Sequence, residues 1–569
     1  LHNIDLPAGP VSVRLETEGP LVIEGGAVLG ATLAPGERGL PATLLRATGV
    51  GRGVVKMAIT AGGFTLQRDT AITIRPARPP ASMVSGTELA AGADSRLEPP
   101  IVRFLPGSWT AEATFGAPVR YDVAALVRAL DAYPVACLEQ TISRRLPLSL
   151  LPDGPLAGEQ RAARLGGAVA SVLDRQRYDG GFGLWSAGGE AEAWLSAYAV
   201  EFLLRAKASG ATVPEVALGE AIKHLVEQSE YVSDRPEAMA AHAYRLYVLA
   251  LAGQGRPGAA RVIAERPDSL PTPLARAQVA AALALAHDTP RAEAMFRAAL
   301  DAPVRRWWAA DYGSGLRDLA AIAVLLKESG LLPDRLARLV AGLPGADLLP
   351  GALSTQEQAW MAAAAASLGR DGRPVRVEVA GRTLSGPVVA ARLDGPASAR
   401  NLSERAVWQS VSVSGVPVEA RPAGRAGMRV TRRFLALDGT PLNLDQLRQN
   451  TEFVLLLEGQ AETRQDHRVL AMQGLPAGWE LTARLPAGAI AGMPWLGELT
   501  PTEAQPAADD RFVAAVALTE QKPAFRVAAR VRAVTPGFFE LPGADVADMY
   551  RPGVFARQAV AKIRVLKAE

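Results

Sequence analysis

The chain has 569 residues, room for about four domains of ordinary size. Hydrophobic residues make up 49% and charged residues 21%, which excludes a mainly disordered chain. Lys and Arg number 61 against 58 Asp and Glu, so the net charge of +3 is too thin a surplus to build a phosphate-binding surface, and no nucleic-acid partner is expected.

Residues 1–85 read as β. Val11, Val13 and Leu15 alternate with Ser12 and Arg14, and glycines and prolines punctuate further short β-rich runs at 54–59 and 64–67. This is the pattern of a small antiparallel sandwich. The opening Leu1-His2-Asn3-Ile4 reads as the middle of a strand region, with neither an initiator Met nor a signal peptide. The first sandwich is therefore expected to be incomplete at its N-terminus. Pro76, Pro79 and Pro80 mark a linker, and 86–120 hold a further strand or two.

From 121 to 371 alanine dominates and the period becomes helical. Trp194, Tyr198 and Phe202 fall at i, i+4 and i+8; Tyr244, Tyr247, Val248 and Leu251 fall at i, i+3, i+4 and i+7. About ten helices are expected, none long enough to span a membrane. With only 5% aromatic residues, the cores must be made mostly of Ala, Leu and Val. Residues 372–415 and 416–569 return to alternating β patterns. The segment 86–120 is too small to fold alone. The helices are therefore read as an insertion into one β domain that 372–415 completes, with 416–569 as a last sandwich.

There is one cysteine, Cys137, so no intrachain disulfide can form. Five scattered histidines form no metal-ligand spacing, and neither metal nor cofactor is expected. Cys137 stands in Tyr133-Pro134-Val135-Ala136-Cys137-Leu138-Glu139-Gln140, after a short helix (122–132) broken by Pro134. A cysteine and a glutamine three residues apart can be brought side to side by one tight turn. The sulfur can then displace ammonia from the carboxamide and close an internal thioester, which must stay dry until an amine or hydroxyl attacks it. Two other readings stay open on the residues alone. One is a buried structural cysteine; the other is a catalytic thiol paired with a distant histidine.

The segment, continuing through Thr141, Ser143 and Arg144 to Leu146-Pro147-Leu148, resembles the thioester segment of the bacterial branch of the alpha-2-macroglobulin family. Asp179-Gly180-Gly181-Phe182-Gly183-Leu184-Trp185 and Trp194-Leu195-Ser196-Ala197-Tyr198 resemble the loop and helix that follow it. Arg432-Arg433-Phe434, Leu475-Pro476-Ala477-Gly478, Asp510-Arg511-Phe512 and Asp548-Met549-Tyr550 resemble the C-terminal receptor-binding-like domain.

The resemblance implies β-sandwich macroglobulin-like domains and a CUB-like sheet interrupted by an all-α (α/α toroid) thioester domain. It implies a protease inhibitor rather than an enzyme, working in the periplasm or cell envelope as a monomer. Any membrane anchor would lie in a segment ahead of Leu1. A protease cuts a bait region, also upstream, and the thioester couples to its lysine amines. Cys137 and Gln140 match the thioester partners, with Leu138 and Glu139 between them. Glu139 either shapes or polarises the site or is a solvated charge. Tyr133, Met549 and Tyr550 match the residues that shield the bond. Where the family has a second aromatic and a glycine, this chain has Val135 and Ala136. The alternative reading is the same fold with an inactive thioester, serving as a structural or interaction module of the envelope. A further rival, an α/α-toroid enzyme, calls for acidic clusters that the sequence lacks. The run Arg305-Arg306-Trp307-Trp308 is read as a helix-packing pair with solvated arginines, the alternative being a surface binding patch.

Overall fold

The computed structural model describes residues 1–116, 119–133, 135–151, 161–230, 233–345, 349–369 and 374–568. It divides into two compact units. One comprises Leu1–Ala81 with Pro100–Thr110 and Val413–Arg421; the other comprises Ser82–Pro99, Ala111–Ser412 and Pro422–Glu569.

The first unit carries a four-stranded antiparallel sheet in the order Val28–Leu33, Gly9–Glu18, Gly51–Ala61, Phe64–Ile74. In Gly9–Glu18, Val11, Val13 and Leu15 are buried while Ser12, Arg14 and Glu16 are exposed. That is the period-two signal of a strand with one covered face. Val13, Leu15, Leu21 and Val55 form its apolar core.

In the second unit, strands from before and after the helices pair with each other. Thr110–Gly116 runs antiparallel to Val388–Leu393, and Asp94–Leu97 to Ala397–Asn401. The helices lie between these strands in sequence, so they are an insertion into one β unit, as the sequence predicts. Two four-stranded sheets result, one of which includes Ala81–Leu89 as an edge strand. The boundary drawn at 85 therefore falls inside a strand. The boundary drawn at 371 lies outside the described residues.

Thirteen α-helices lie between Val123 and Gly369 among the described residues, more than the ten expected. Several are single short turns, such as Leu138–Ser143 and Leu146–Leu150, that periodicity does not resolve. Ala193–Ala208 also departs from a one-face stripe: Leu195, Ala199, Val200 and Leu203 are buried along with Trp194, Tyr198 and Phe202. Helices pack on more than one side of it, and small residues make the room. Thr355–Gly369 buries Ala362 to Ala366 in succession against neighbouring helices.

The C-terminal sandwich has a five-stranded sheet that includes Ala544–Asp548, His467–Gly474 and Arg511–Leu518. It faces a four-stranded sheet that includes Met428–Leu435, Glu452–Ala461 and Ala524–Ala533. In Glu452–Ala461, Phe453, Leu455 and Leu457 enter the sandwich core, while Val454 and Leu456 pack outward with Leu485, Leu496 and Leu499. Both faces are covered, so alternation along this strand is weak. In His467–Gly474 the two faces serve two cores. Val469 and Ala471 point into the sandwich, whereas Leu470, together with Val513, Ala515, Met549 and Tyr550, joins the apolar cluster of the helical region. This second face carries the far C-terminal residues to Cys137.

Candidate functional site

Asp122 caps Val123–Ala132 by accepting the Ala125 N–H at 2.8 Å, and the helix ends at Tyr133 in extended geometry. Pro134, the expected helix breaker, lies outside the described residues. Val135 and Ala136 then lead to Cys137, the N-cap of Leu138–Ser143. This extended stretch is fastened on both sides. Arg144 donates to the carbonyls of Tyr133 and Val135, the latter at 3.0 Å, and Arg175 to that of Ala136 at 2.7 Å. The Leu138 N–H donates to Leu184 O at 2.8 Å, in the glycine-rich loop. That loop needs its glycines: Gly180 sits at φ +82°, and a Cβ there would lie 2.2 Å from Glu220 O. Ala136, by contrast, is not among the residues with positive φ, so alanine fits at the position where the family has glycine.

Cys137 and Gln140 form a capping box. The Cys137 N–H donates to Gln140 Oε1 at 3.2 Å, and the Cys137 sulfur accepts from the Gln140 backbone N–H. Sulfur replaces the usual hydroxyl, and the glutamine folds back so that its carboxamide oxygen meets the Cys137 backbone nitrogen. Both residues are fully buried. Gln140 Nε2 has no hydrogen-bond partner, which costs about 1–3 kcal/mol for a buried amide. Expelling that nitrogen as ammonia would remove the unsatisfied group. Burial, and next the Glu139 charge, push the Cys137 thiol up to about 12.

Glu139 is also fully buried, which corrects the alternative of a solvated charge. Its carboxylate accepts from Ser143 Oγ at 2.5 Å, Thr355 Oγ1 at 2.8 Å and Gln356 Nε2 at 3.1 Å. It ties the turn bearing Cys137 and Gln140 to the start of Thr355–Gly369. Burial pushes its carboxyl above the usual range, and the three donors oppose that shift. Glu139→Ala leaves those donors without their acceptor. It is expected to lower stability by about 3 kcal/mol in denaturant unfolding.

The residues expected to shield the bond come from distant parts of the chain. Asp548 Oδ1 accepts the backbone N–H of Tyr550 at 2.9 Å and of Arg551 at 3.1 Å, turning the chain at the strand end. The Tyr550 hydroxyl then lies 3.7 Å from Cys137 Sγ, and the Tyr133 hydroxyl donates to Met549 O at 3.5 Å. The structure thus brings together Tyr133, Cys137, Leu138, Glu139, Gln140, Met549 and Tyr550. Among the described residues, no histidine hydrogen-bonds Cys137. His467 instead pairs with Asp548 at 2.7 Å beneath the turn.

Sequence reasoning missed Tyr312, whose ring centroid is 5.0 Å from that of Tyr550. It also misread Trp307. That residue lies outside any helix, and the Arg551 guanidinium stands 4.1 Å from its ring centroid. Arg305 is not solvated either; it is paired with Asp311 and Asp318. The run of two arginines and two tryptophans was the available signal, but nothing local to it names a partner some 240 residues away.

A family model described as the bacterial alpha-2-macroglobulin MG10 domain matches residues 427–553, a span that holds Met549 and Tyr550. Alpha-2-macroglobulin of Escherichia coli (strain K12) is 29% identical, over 98% of this chain and 36% of that protein. The chain spans about a third of the length of the curated relatives it matches. The crystal structure of native Escherichia coli alpha-2-macroglobulin from domain MG7 to the C-terminus superposes with a TM-score of 0.84 at 28% identity, covering 99% of this chain and 95% of that one. Salmonella alpha-2-macroglobulin reacted with methylamine superposes with a TM-score of 0.81 at 28% identity, covering 99% of this chain and 39% of that one.

Proposed function

The chain belongs to the bacterial alpha-2-macroglobulin family, matching the portion from domain MG7 to the C-terminus, and on that premise we propose that it carries the covalent warhead of a protease trap. The warhead is an internal thioester between Cys137 and Gln140. In its formation the sulfur attacks the Gln140 amide carbon, the C–N bond breaks, and ammonia leaves with the thiol proton. In its use a lysine amine of a protease attacks the acyl carbon. A new amide forms, the C–S bond breaks, and the sulfur takes up the proton that the amine releases. The acyl group is consumed once, so the protein is an inhibitor and not a catalyst.

One observation carries this reading: the capping box folds the Gln140 carboxamide back onto Cys137, its oxygen 3.2 Å from the Cys137 backbone nitrogen, and leaves its own nitrogen without a partner. The burial that raises the thiol also makes thiolate a poor leaving group while the site is closed. Attack is thereby held back until Tyr550 withdraws and water or a protease reaches the bond. The Salmonella relative was crystallised after reaction with methylamine, an amine nucleophile of the kind this bond would consume.

The rival reading, a structural module with a dead warhead, rested on Val135 and Ala136. Ala136 adopts an ordinary backbone angle, and Val135 is buried in the apolar cluster that includes Cys137, which supports the intact warhead over the dead one; the missing aromatic bears on the lifetime of the bond against water. We place the work of the protein, as a monomer, in the periplasm or cell envelope, with proteases as partners. Among the described residues no helix is long and apolar enough to cross a membrane. Peptide mapping after methylamine treatment tests the reading. The expected product is a methylamide at Gln140 with one thiol released at Cys137; an unmodified Gln140 in a chain whose thiol was free throughout would refute it.

A further inference from the structure

Tyr312 meets the shield from the helical side. Its ring and that of Tyr550 are T-shaped at 5.0 Å, and its other neighbour is Trp194 at 5.9 Å. Tyr312 is buried, yet it holds φ +54°, a left-handed conformation that a bulky residue keeps only where its surroundings over-determine it. Those surroundings are four charges. Arg317, with no exposed surface, donates to Asp311 Oδ2 at 2.6 Å, Asp311 O at 3.1 Å and Asp318 Oδ1 at 2.9 Å. Arg305 donates to Asp311 Oδ2 at 2.6 Å, to Asp318 Oδ2 at 2.7 Å and to Gly313 O at 3.0 Å. A Cβ at Gly313 would lie 1.8 Å from Arg317 Nη2, so a larger residue there would push the buried guanidinium off its carboxylates. The turn at 309–313 is therefore held by side chains of the helical region itself.

The C-terminal sandwich reaches this turn with a second group. Arg468 Nη1 donates to the Tyr312 hydroxyl at 3.2 Å, and the same guanidinium bonds Glu192 at 3.1 Å. Arg468 and Tyr550 thus hold one phenol by its hydroxyl and by its ring.

We propose that Tyr312 is a positioning residue for the shield: the ion-locked turn at 309–313 presents it as the seat onto which Tyr550 and Arg468 close. The proposal rests on the reading of Cys137 and Gln140 as a protected thioester. Tyr550 touches the sulfur through one hydroxyl at the end of a two-torsion side chain. Without a fixed neighbour for its ring, that hydroxyl has nothing to keep it over Cys137, and water enters.

The test is the rate at which Cys137 becomes accessible in the folded chain with no protease added, read as thiol release. Tyr312→Ala is expected to raise it tenfold or more. Tyr312→Phe, which keeps the ring, and Arg468→Met are each expected to raise it a few-fold, and their combination by less than the product of the two, since the bond they share is lost in both. Tyr247→Phe, which removes a buried hydroxyl bonded to Arg205 at 2.9 Å, controls for general loosening and should leave the rate unchanged. Should Tyr312→Ala fail to fold, the two milder variants carry the test. Wild-type rates in all folded Tyr312 and Arg468 variants, or an equal rise in Tyr247→Phe, would overturn the proposal. Failure of the thioester reading is seen separately, as a full-mass wild-type chain with a free thiol. Alkylation of that thiol by iodoacetamide then reads the same seat with the same expected order of variants.

Discussion

Cys137→Ser is expected to fold as the parent does and to take up no amine at Gln140. Serine is a better N-cap than cysteine, because its oxygen accepts the Gln140 backbone N–H more strongly than sulfur does. The capping box should survive, and stability in denaturant should change by less than about 1 kcal/mol. Chemistry should be lost completely, since a hydroxyl buried without a base does not displace ammonia. Methylamine followed by intact-mass measurement checks it. A serine variant that still incorporated amine would mean that Gln140 reacts without the sulfur.

Tyr550→Ala has the second large effect, and it falls on lifetime rather than on formation. The side chain is buried, packed edge-to-face with Tyr312 and in contact with the sulfur. Removing a buried aromatic of this size costs about 3 kcal/mol. Charged against the closed arrangement alone, that raises the open population about 100-fold. Thiol release in plain buffer should accelerate by a comparable factor. Tyr550→Phe keeps the ring and loses only the hydroxyl at 3.7 Å, so its effect should be several-fold at most. Stopped-flow or manual thiol titration distinguishes the two.

A pH dependence follows for a chain that cannot form the bond. In Gln140→Leu the thiol remains free, and burial holds it protonated up to about pH 12. An exposed thiol ionises near pH 8.5. The folded chain therefore keeps a proton that the unfolded chain gives up, and stability falls as pH rises from about 8.5 towards 12. Iodoacetamide should label Cys137 slowly at pH 8, with a rate still climbing above pH 9. A rate that levels near pH 9 would show an open site.

Much of the fold was legible because local pattern and tertiary role agree. In Gly9–Glu18 one face is covered, and alternation reads directly. In Glu452–Ala461 both faces are covered, by the sandwich core and by the stretch that bears Leu485 and Leu496, so alternation fades. The short helix Leu138–Ser143 is too brief for periodicity; the Cys-x-x-Gln spacing reads only as a tight turn, which is the capped first turn of that helix. That Cys137 and Gln140 meet was legible for the same reason: three residues of separation make one turn. Tyr550 was legible only through its motif. Tyr312 was not legible at all, because its place depends on Arg305 and Arg317 fixing a turn, and on Arg468 arriving from another sheet. Glu139 was singled out through the family resemblance, but its burial was not legible, since its donors Thr355 and Gln356 lie more than 200 residues along the chain.

The most direct measurement is the intact mass of the native chain alongside its thiol titre before any treatment. A molecule lighter than its sequence by one ammonia, with no titratable thiol, is the predicted result. A molecule of full sequence mass whose Cys137 titrates at once would contradict the account.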